Sequence, residues 1–228
     1  MPDSPGKPAR TPVSRRDRPA KAPLSQEAIV SAGLDLLSSE GLPGLSLRKI
    51  ATALDTGPAS LYVYVSNLDE LRALVLDRAL GEVDLAAGAD GPPRERLKAV
   101  LRSYQDVLLS RPGLARLAST TMARGKGALR LTETLLDCLA EAGVAGRDGA
   151  WGADLLLLQV TASAAEKSAW EEQGDVIEQV KQTYEHASAT DYPRIHALGE
   201  QIFSGHGERW DWALDVVIEG IARVSGDR

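Results

Sequence analysis

The chain has 228 residues, a net charge of −6, 43% apolar residues and 25% charged ones, the balance of a water-soluble globular protein with one large domain or two unequal ones. Cys138 is the single cysteine, which excludes a disulfide framework. The longest apolar stretch, around Leu155 to Ala165, is broken by Gln159, Thr161 and Ser163, and the basic N-terminus lacks the apolar core of a signal peptide, so a membrane span is excluded and a cytoplasmic setting is expected.

Charge is distributed unevenly. Residues 1–24 carry six basic groups (Lys7, Arg10, Arg15, Arg16, Arg18, Lys21) against Asp3 and Asp17, whereas the rest of the chain is acidic. One end therefore suits an approach to phosphate and the body does not. Residues 1–23 are rich in Pro, without apolar periodicity, and read as a disordered basic arm.

From Leu24 onward apolar residues recur at helical spacing, and the fold class read from this is all-α. A first helix is predicted over Ser25 to Glu40. Ser25 serves as N-cap, Leu24 and Ile29 sit at the positions of a hydrophobic staple, and Gly41 ends the helix. Ser46 caps a second helix running from Leu47 to about Leu54. Asp55-Thr56-Gly57 forms a tight turn, and Pro58 opens a short third helix reaching about Val65. Asn67 with Glu70 makes a capping-box-like start to a fourth helix ending near Ala87. After the break at Gly88 to Pro93, helices are predicted near 94–110, 113–121, 126–142, 150–171, 192–204 and 208–224. The polar stretch Gln173 to Asp191 is left between partial helix and loop.

Two short helices joined by a tight turn within about twenty residues have the layout of a helix-turn-helix. Ile50, Ala51 and Leu54 are placed to face Leu61 and Val65, with Ala51 and Gly57 small where the helices approach. The exposed face of the second helix then offers Ala59, Ser60, Tyr62 and Tyr64 to a major groove about 12 Å wide.

Residues 25–71 resemble the DNA-binding domain of the TetR family of transcriptional repressors. The resemblance rests on Gly41-Leu42 before Ser46-Leu47-Arg48-Lys49-Ile50-Ala51, then Ser60-Leu61-Tyr62-Val63-Tyr64-Val65, then Asn67-Leu68-Asp69-Glu70-Leu71, with no gap in the spacing. It implies a three-helix DNA-binding domain (24–71) followed by a larger helical regulatory, ligand-binding and dimerisation domain (72–228). It also implies a homodimer that binds a double-stranded operator and responds to a small-molecule inducer. Matching positions carry over as a DNA-contact set of Arg48, Lys49, Pro58, Ala59, Ser60, Tyr62, Tyr64 and Asn67. Many members have Lys after the residue that opens the fourth helix, where it grips a phosphate. Leu68 stands there instead, and the arm's cations are expected to offset the lost contact. A His that helps hold a drug-bound metal ion in the tetracycline repressor falls at Ala118 here, so a metal–tetracycline inducer is not expected.

The body is similar to the tetracycline-repressor branch in Arg111-Pro112-Gly113-Leu114-Ala115-Arg116, in Leu155-Leu156-Leu157-Leu158 and in Trp212-Ala213-Leu214-Asp215. Tyr104, Met122, Trp151, Gln159 and Trp170 are the candidate ligand-binding residues of an apolar pocket. Trp151, Leu155, Leu158, Ala162 and Ala165 stripe one helix, and Trp210, Leu214, Val217 and Ile221 stripe the last. These stripes serve either a dimeric four-helix bundle or the chain's own core.

Catalysis is not expected. His186, His196 and His206 lack metal-ligand spacing, Gly125-Lys126-Gly127 is a lone turn rather than a phosphate loop, and no cofactor or metal is implied. A ligand-binding dimer that no longer binds DNA and a transcriptional activator fit the same residues as alternatives.

Overall fold

The computed structural model describes residues 23–226, which fold into helices joined by short turns, with no strand among them. Eleven α-helices follow in chain order among the described residues: α1 (Gln26–Glu40), α2 (Leu47–Ala53), α3 (Pro58–Leu61), α4 (Leu68–Leu80), α5 (Pro93–Leu109), α6 (Leu114–Thr120), α7 (Lys126–Glu141), α8 (Gly146–Gln173), α9 (Val176–Glu185), α10 (Pro193–Ile202) and α11 (His206–Gly226). None is long and apolar enough to cross a membrane. Of the predicted arm, residues 1–22 lie outside the described residues.

The first helices start where short polar side chains replace missing helical partners. Ser25 accepts the Ala28 N–H at 3.1 Å, Ser46 accepts that of Lys49 at 3.3 Å and Asn67 accepts that of Glu70 at 2.8 Å. Such a cap typically contributes about 1 kcal/mol. Glu70 completes the box by accepting the Ser66 N–H at 2.6 Å, and this hydrogen bond holds its carboxyl below the usual carboxylate range.

Buried Ile29, Leu37, Leu45, Ile50, Leu61 and Leu71 draw α1 to α4 together, and one apolar core continues from there into the body. There α5, α6 and α7 pack on α8, and α4 touches α1, α5, α6 and α7. Helix α4 is thus shared by the N-terminal unit and the body.

Three predicted boundaries move. The fourth helix stops at Leu80 rather than near Ala87. Beyond it the Asp84 N–H donates to the Ser103 hydroxyl at 2.8 Å, and the Asp84 carboxylate accepts the Ala86 N–H at 3.0 Å, so Val83, Leu85 and Ala87 line a turn. The third helix ends at Leu61, and its last turn tightens through a Tyr64 N–H bond to the Leu61 carbonyl at 2.9 Å. The polar stretch after Gln173 includes a regular helix, α9, which buries none of its residues and packs mainly on α10, with Tyr184 meeting Phe203 edge to face at 5.1 Å.

The two stripes face opposite ways. On α8, Trp151, Leu155 and Leu158 lie on the outside, exposed by 60%, 45% and 63%. On α11 the predicted stripe faces inward: Leu214 is buried, and Trp210, Val217 and Ile221 pack against the core. The outward apolar face of α11 is instead Trp212, Val216 and Val224. Burial of Leu214 and Ile218 sets this orientation, and charge is consistent with it. Lys98 pairs with Asp215 at 2.8 Å, Arg94 pairs with Glu219 and Arg102 with Asp211, so every fourth residue of α5 meets an acidic residue of the antiparallel α11. The Arg102 guanidinium also lies 5.3 Å from the Trp210 ring centroid.

Candidate nucleic-acid interface

The wedge is built from α2 and α3, which pack against each other through buried Ile50, Ala51, Leu61 and Val65. The turn between them differs from expectation. Gly57 has φ −83 and open space where a side chain would point, so it is not the residue the turn depends on. Asp55 takes the left-handed conformation instead, at φ 48. Aspartate tolerates that region better than most side chains. The Thr56 N–H closes the turn on the Ala51 carbonyl at 2.8 Å.

Arg48, Pro58, Ala59, Ser60 and Tyr62 are exposed on one end of the molecule, Tyr62 by 56%. With α3 so short, its whole outer surface is available. Val63, 79% exposed beside Tyr62, belongs to the same surface. Its apolar character hid it from a search for polar contacts, although an apolar side chain in a groove can meet a thymine methyl.

Three members of the predicted set have other engagements. Lys49 is exposed, but its ammonium pairs with Glu40 of α1. Tyr64 is only half-exposed and packs against the core, while its backbone carbonyl accepts the Gln26 side-chain amide at 3.1 Å. Asn67 is exposed, but its side-chain oxygen caps α4, which leaves the amide NH2 free of that duty. Leu68 is half-buried and packs against the core, a packing role in place of a phosphate contact. Gln26 escaped the sequence reading because its partner is a backbone carbonyl 38 positions away.

The five candidate pocket residues do not converge. Tyr104 is buried, with its hydroxyl 2.6 Å from that of Thr161, and desolvation raises its phenol above the usual tyrosine range. Gln159 is half-buried nearby in sequence on α8. Met122 is 85% exposed between α6 and α7. Trp151 stands in the outer stripe of α8, with the Arg147 guanidinium 4.8 Å from its ring centroid, and Trp170 is exposed near the other end of that helix. Nineteen residues of helix separate the two tryptophans by about 28 Å, too far to line one drug-sized site. Among the described residues no group of three or more His, Cys, Asp or Glu is placed to hold a metal ion.

A groove of about 400 Å³ marks the junction of the two units, lined by Gly41, Leu42 and Pro43 from the N-terminal side and Pro112, Gly113 and Arg116 from the body. The segment that starts α6 therefore abuts the end of α1.

The wedge and the helical body agree with what the chain is similar to. Residues 87–225 match the family described as "Tetracyclin repressor-like, C-terminal domain". An HTH-type transcriptional regulator of Saccharopolyspora erythraea is 31% identical over 208 residues, 89% of this chain and 86% of that one. ActR of Streptomyces coelicolor, whose apo crystal structure covers 91% of this chain and 99% of its own at TM-score 0.83 and 34% identity, has also been solved in complex with actinorhodin. A putative transcription regulator from the same organism covers 89% of this chain and 96% of its own at 40% identity and TM-score 0.74. A matching body, a relative alike over most of both lengths and an outward-facing wedge together make this chain a member of the TetR family of helix-turn-helix transcriptional regulators, which act by binding DNA and not by catalysis.

Proposed function

We propose that the protein is a cytoplasmic, dimeric repressor that binds a palindromic operator and is released by a small organic molecule. The observation that carries this reading is the outer surface of α3 and its C-cap: Pro58, Ala59 and Ser60 on the helix and Tyr62 directly after it are all exposed, and buried Leu61 anchors the other side. Arg48 adds a cation at its edge.

The dimer is supported by the outer apolar face that Trp151, Leu155 and Leu158 of α8 share with Trp212, Val216 and Val224 of α11. Two such helix pairs related by a twofold axis make a four-helix bundle, and operator binding then requires the two α3 helices to stand about 34–36 Å apart, on successive major grooves. The inducer is supported by the likeness to ActR, a relative solved with actinorhodin. The Tyr104–Thr161 hydroxyl pair, set among the buried apolar side chains of α5 and α8, is the polar contact offered to an organic ligand that parts these two helices. A ligand there displaces α6, whose start abuts the end of α1, and tilts α4. An induction of roughly 100-fold requires only about 2.7 kcal/mol of coupling.

The test is a gel shift with duplex DNA flanking the gene's own position, with and without Tyr62→Ala. Retarded DNA that is lost in the variant is the expected result. Absence of any shift at low salt overturns the DNA-binding reading.

A further inference from the structure

The N-terminus of α7 is not open to solvent or ligand. The side chain of Asp77, from α4, occupies it. Asp77 Oδ1 accepts the N–H groups of Gly125 at 3.0 Å and Ala128 at 2.9 Å, and Oδ2 accepts that of Gly127 at 3.2 Å. One carboxylate from another helix thereby replaces the local cap that Gly125 cannot supply, and its charge complements the positive end of the α7 dipole. The sequence is shaped for this approach. A methyl group on Gly125 overlaps the Asp77 carboxylate, and one on Gly127 overlaps the Asp77 backbone carbonyl.

The place of this contact along α4 matters. Two residues earlier, Val75 is buried against α1, where a methyl group on Gly33 lies only 2.8 Å from it. Two residues is about 200° of helix, so Val75 and Asp77 point to nearly opposite sides of one turn. The DNA-reading unit grips that turn from one side and the body from the other.

We infer that Asp77 is a positioning residue for DNA recognition: its three hydrogen bonds fix the angle at which α4 holds the reading unit against the body, and hence the separation of the two reading helices. The inference rests on the DNA-binding dimer proposed above. It separates two kinds of damage. Loss of a merely structural cap lowers the melting temperature and leaves half-site geometry alone. Loss of a positioning contact loosens the geometry in molecules that are still folded.

The experiment uses the full chain, wild type and as Asp77→Ala, Asp77→Asn and Gly127→Ala. Duplexes selected by the wild type from a random library are re-made with the half-sites one and two base pairs closer and farther apart. The wild type is expected to prefer one spacing sharply. Asp77→Ala and Gly127→Ala are expected to lose roughly tenfold of that preference, and Asp77→Asn, which keeps one acceptor oxygen, to lose less. A second readout needs neither DNA nor a dimer. Nitroxides at Val63→Cys and Glu133→Cys in one chain, diluted with unlabelled protein, report the wedge-to-body distance, narrow in the wild type and broadened or shifted in the variants. A wild type that selects no duplex removes the DNA-binding reading, and the label distances still decide the positioning contact. Spacing profiles and distance distributions that superimpose on those of the wild type, even with a lowered melting temperature, overturn the inference. Should Asp77→Ala fail to fold, Asp77→Asn and Gly127→Ala decide it by the same two readouts.

Discussion

Gly33 of α1 and Val75 of α4 meet so closely that a methyl group on the glycine lies 2.8 Å from Val75 Cγ2, with Leu45 Cδ1 next at 3.3 Å. Alanine has the better helix propensity by about 1 kcal/mol. Val75 is β-branched, however, and in a helix it has little freedom to rotate away. Overpacking a filled site costs about 1–3 kcal/mol, so Gly33→Ala is expected to destabilise the protein by about 1 kcal/mol net. Gly57→Ala, with open space and φ −83, is expected to stay within about 0.5 kcal/mol of the wild type. Denaturant unfolding of the two variants measures both, and equal stabilities contradict the close approach.

Two exposed basic residues on α2 are expected to differ in their effect on DNA. Arg48→Ala weakens binding across all sequences and lowers the salt dependence by about one unit of slope per subunit. Lys49→Ala has the smaller effect, because its ammonium is already paired with Glu40. Tyr62→Ala is expected to lower operator affinity by about 1–3 kcal/mol with an unchanged melting temperature, since the side chain is exposed. Binding measured at several salt concentrations, alongside heat unfolding, checks all three.

The apolar face on α8 and α11 predicts a monomer on charge insertion. Leu158→Glu and Trp212→Glu change side chains exposed by 63% and 65%, so the chain's own fold is left intact. Light scattering is expected to give half the wild-type mass, and operator binding is expected to fall with it. Wild-type mass for both variants places the interface elsewhere.

Alkaline titration reports the body. The hydrogen bond to Asp215 raises the Lys98 ammonium above the usual lysine range, and burial raises the Tyr104 phenol. In both cases the folded state favours the protonated form. Each contribution is therefore complete below the unfolded pKa values near 10 and is lost as pH rises through the higher folded ones. Stability is expected to fall above about pH 10, and less steeply in Tyr104→Phe and Lys98→Met. Denaturation midpoints from pH 8 to 11, approximately the range that brackets both groups, measure the slopes; identical slopes in all three proteins contradict this assignment.

What the sequence made legible was local. Ser25, Ser46 and Asn67 announce helix starts through chemistry that acts within three residues, and all three act as caps. What it hid was set at a distance. Gly81, directly after Leu80, is the local stop signal for the fourth helix, but the turn beyond it is set at a distance, where the Asp84 N–H donates to Ser103, 19 positions on. Periodicity found the stripe through Trp210, Leu214, Val217 and Ile221 but could not tell its direction. The acidic residues between them, Asp211, Asp215 and Glu219, pair with α5 once that stripe is turned inward, 109 to 125 positions away in sequence. Residue type alone marks the five candidate pocket residues, and type carries no information on the length of helix that keeps Trp151 and Trp170 apart.

Helix α9 buries none of its residues, so little of the folding free energy resides in it. This segment can open while the rest of the chain stays native. Within residues 23–226 a protease added to the folded protein therefore cuts first between Gln173 and Asp191, and leaves a nicked molecule whose wedge and inner body remain assembled. The same freedom makes this stretch the part of the chain where insertions and substitutions accumulate at least cost.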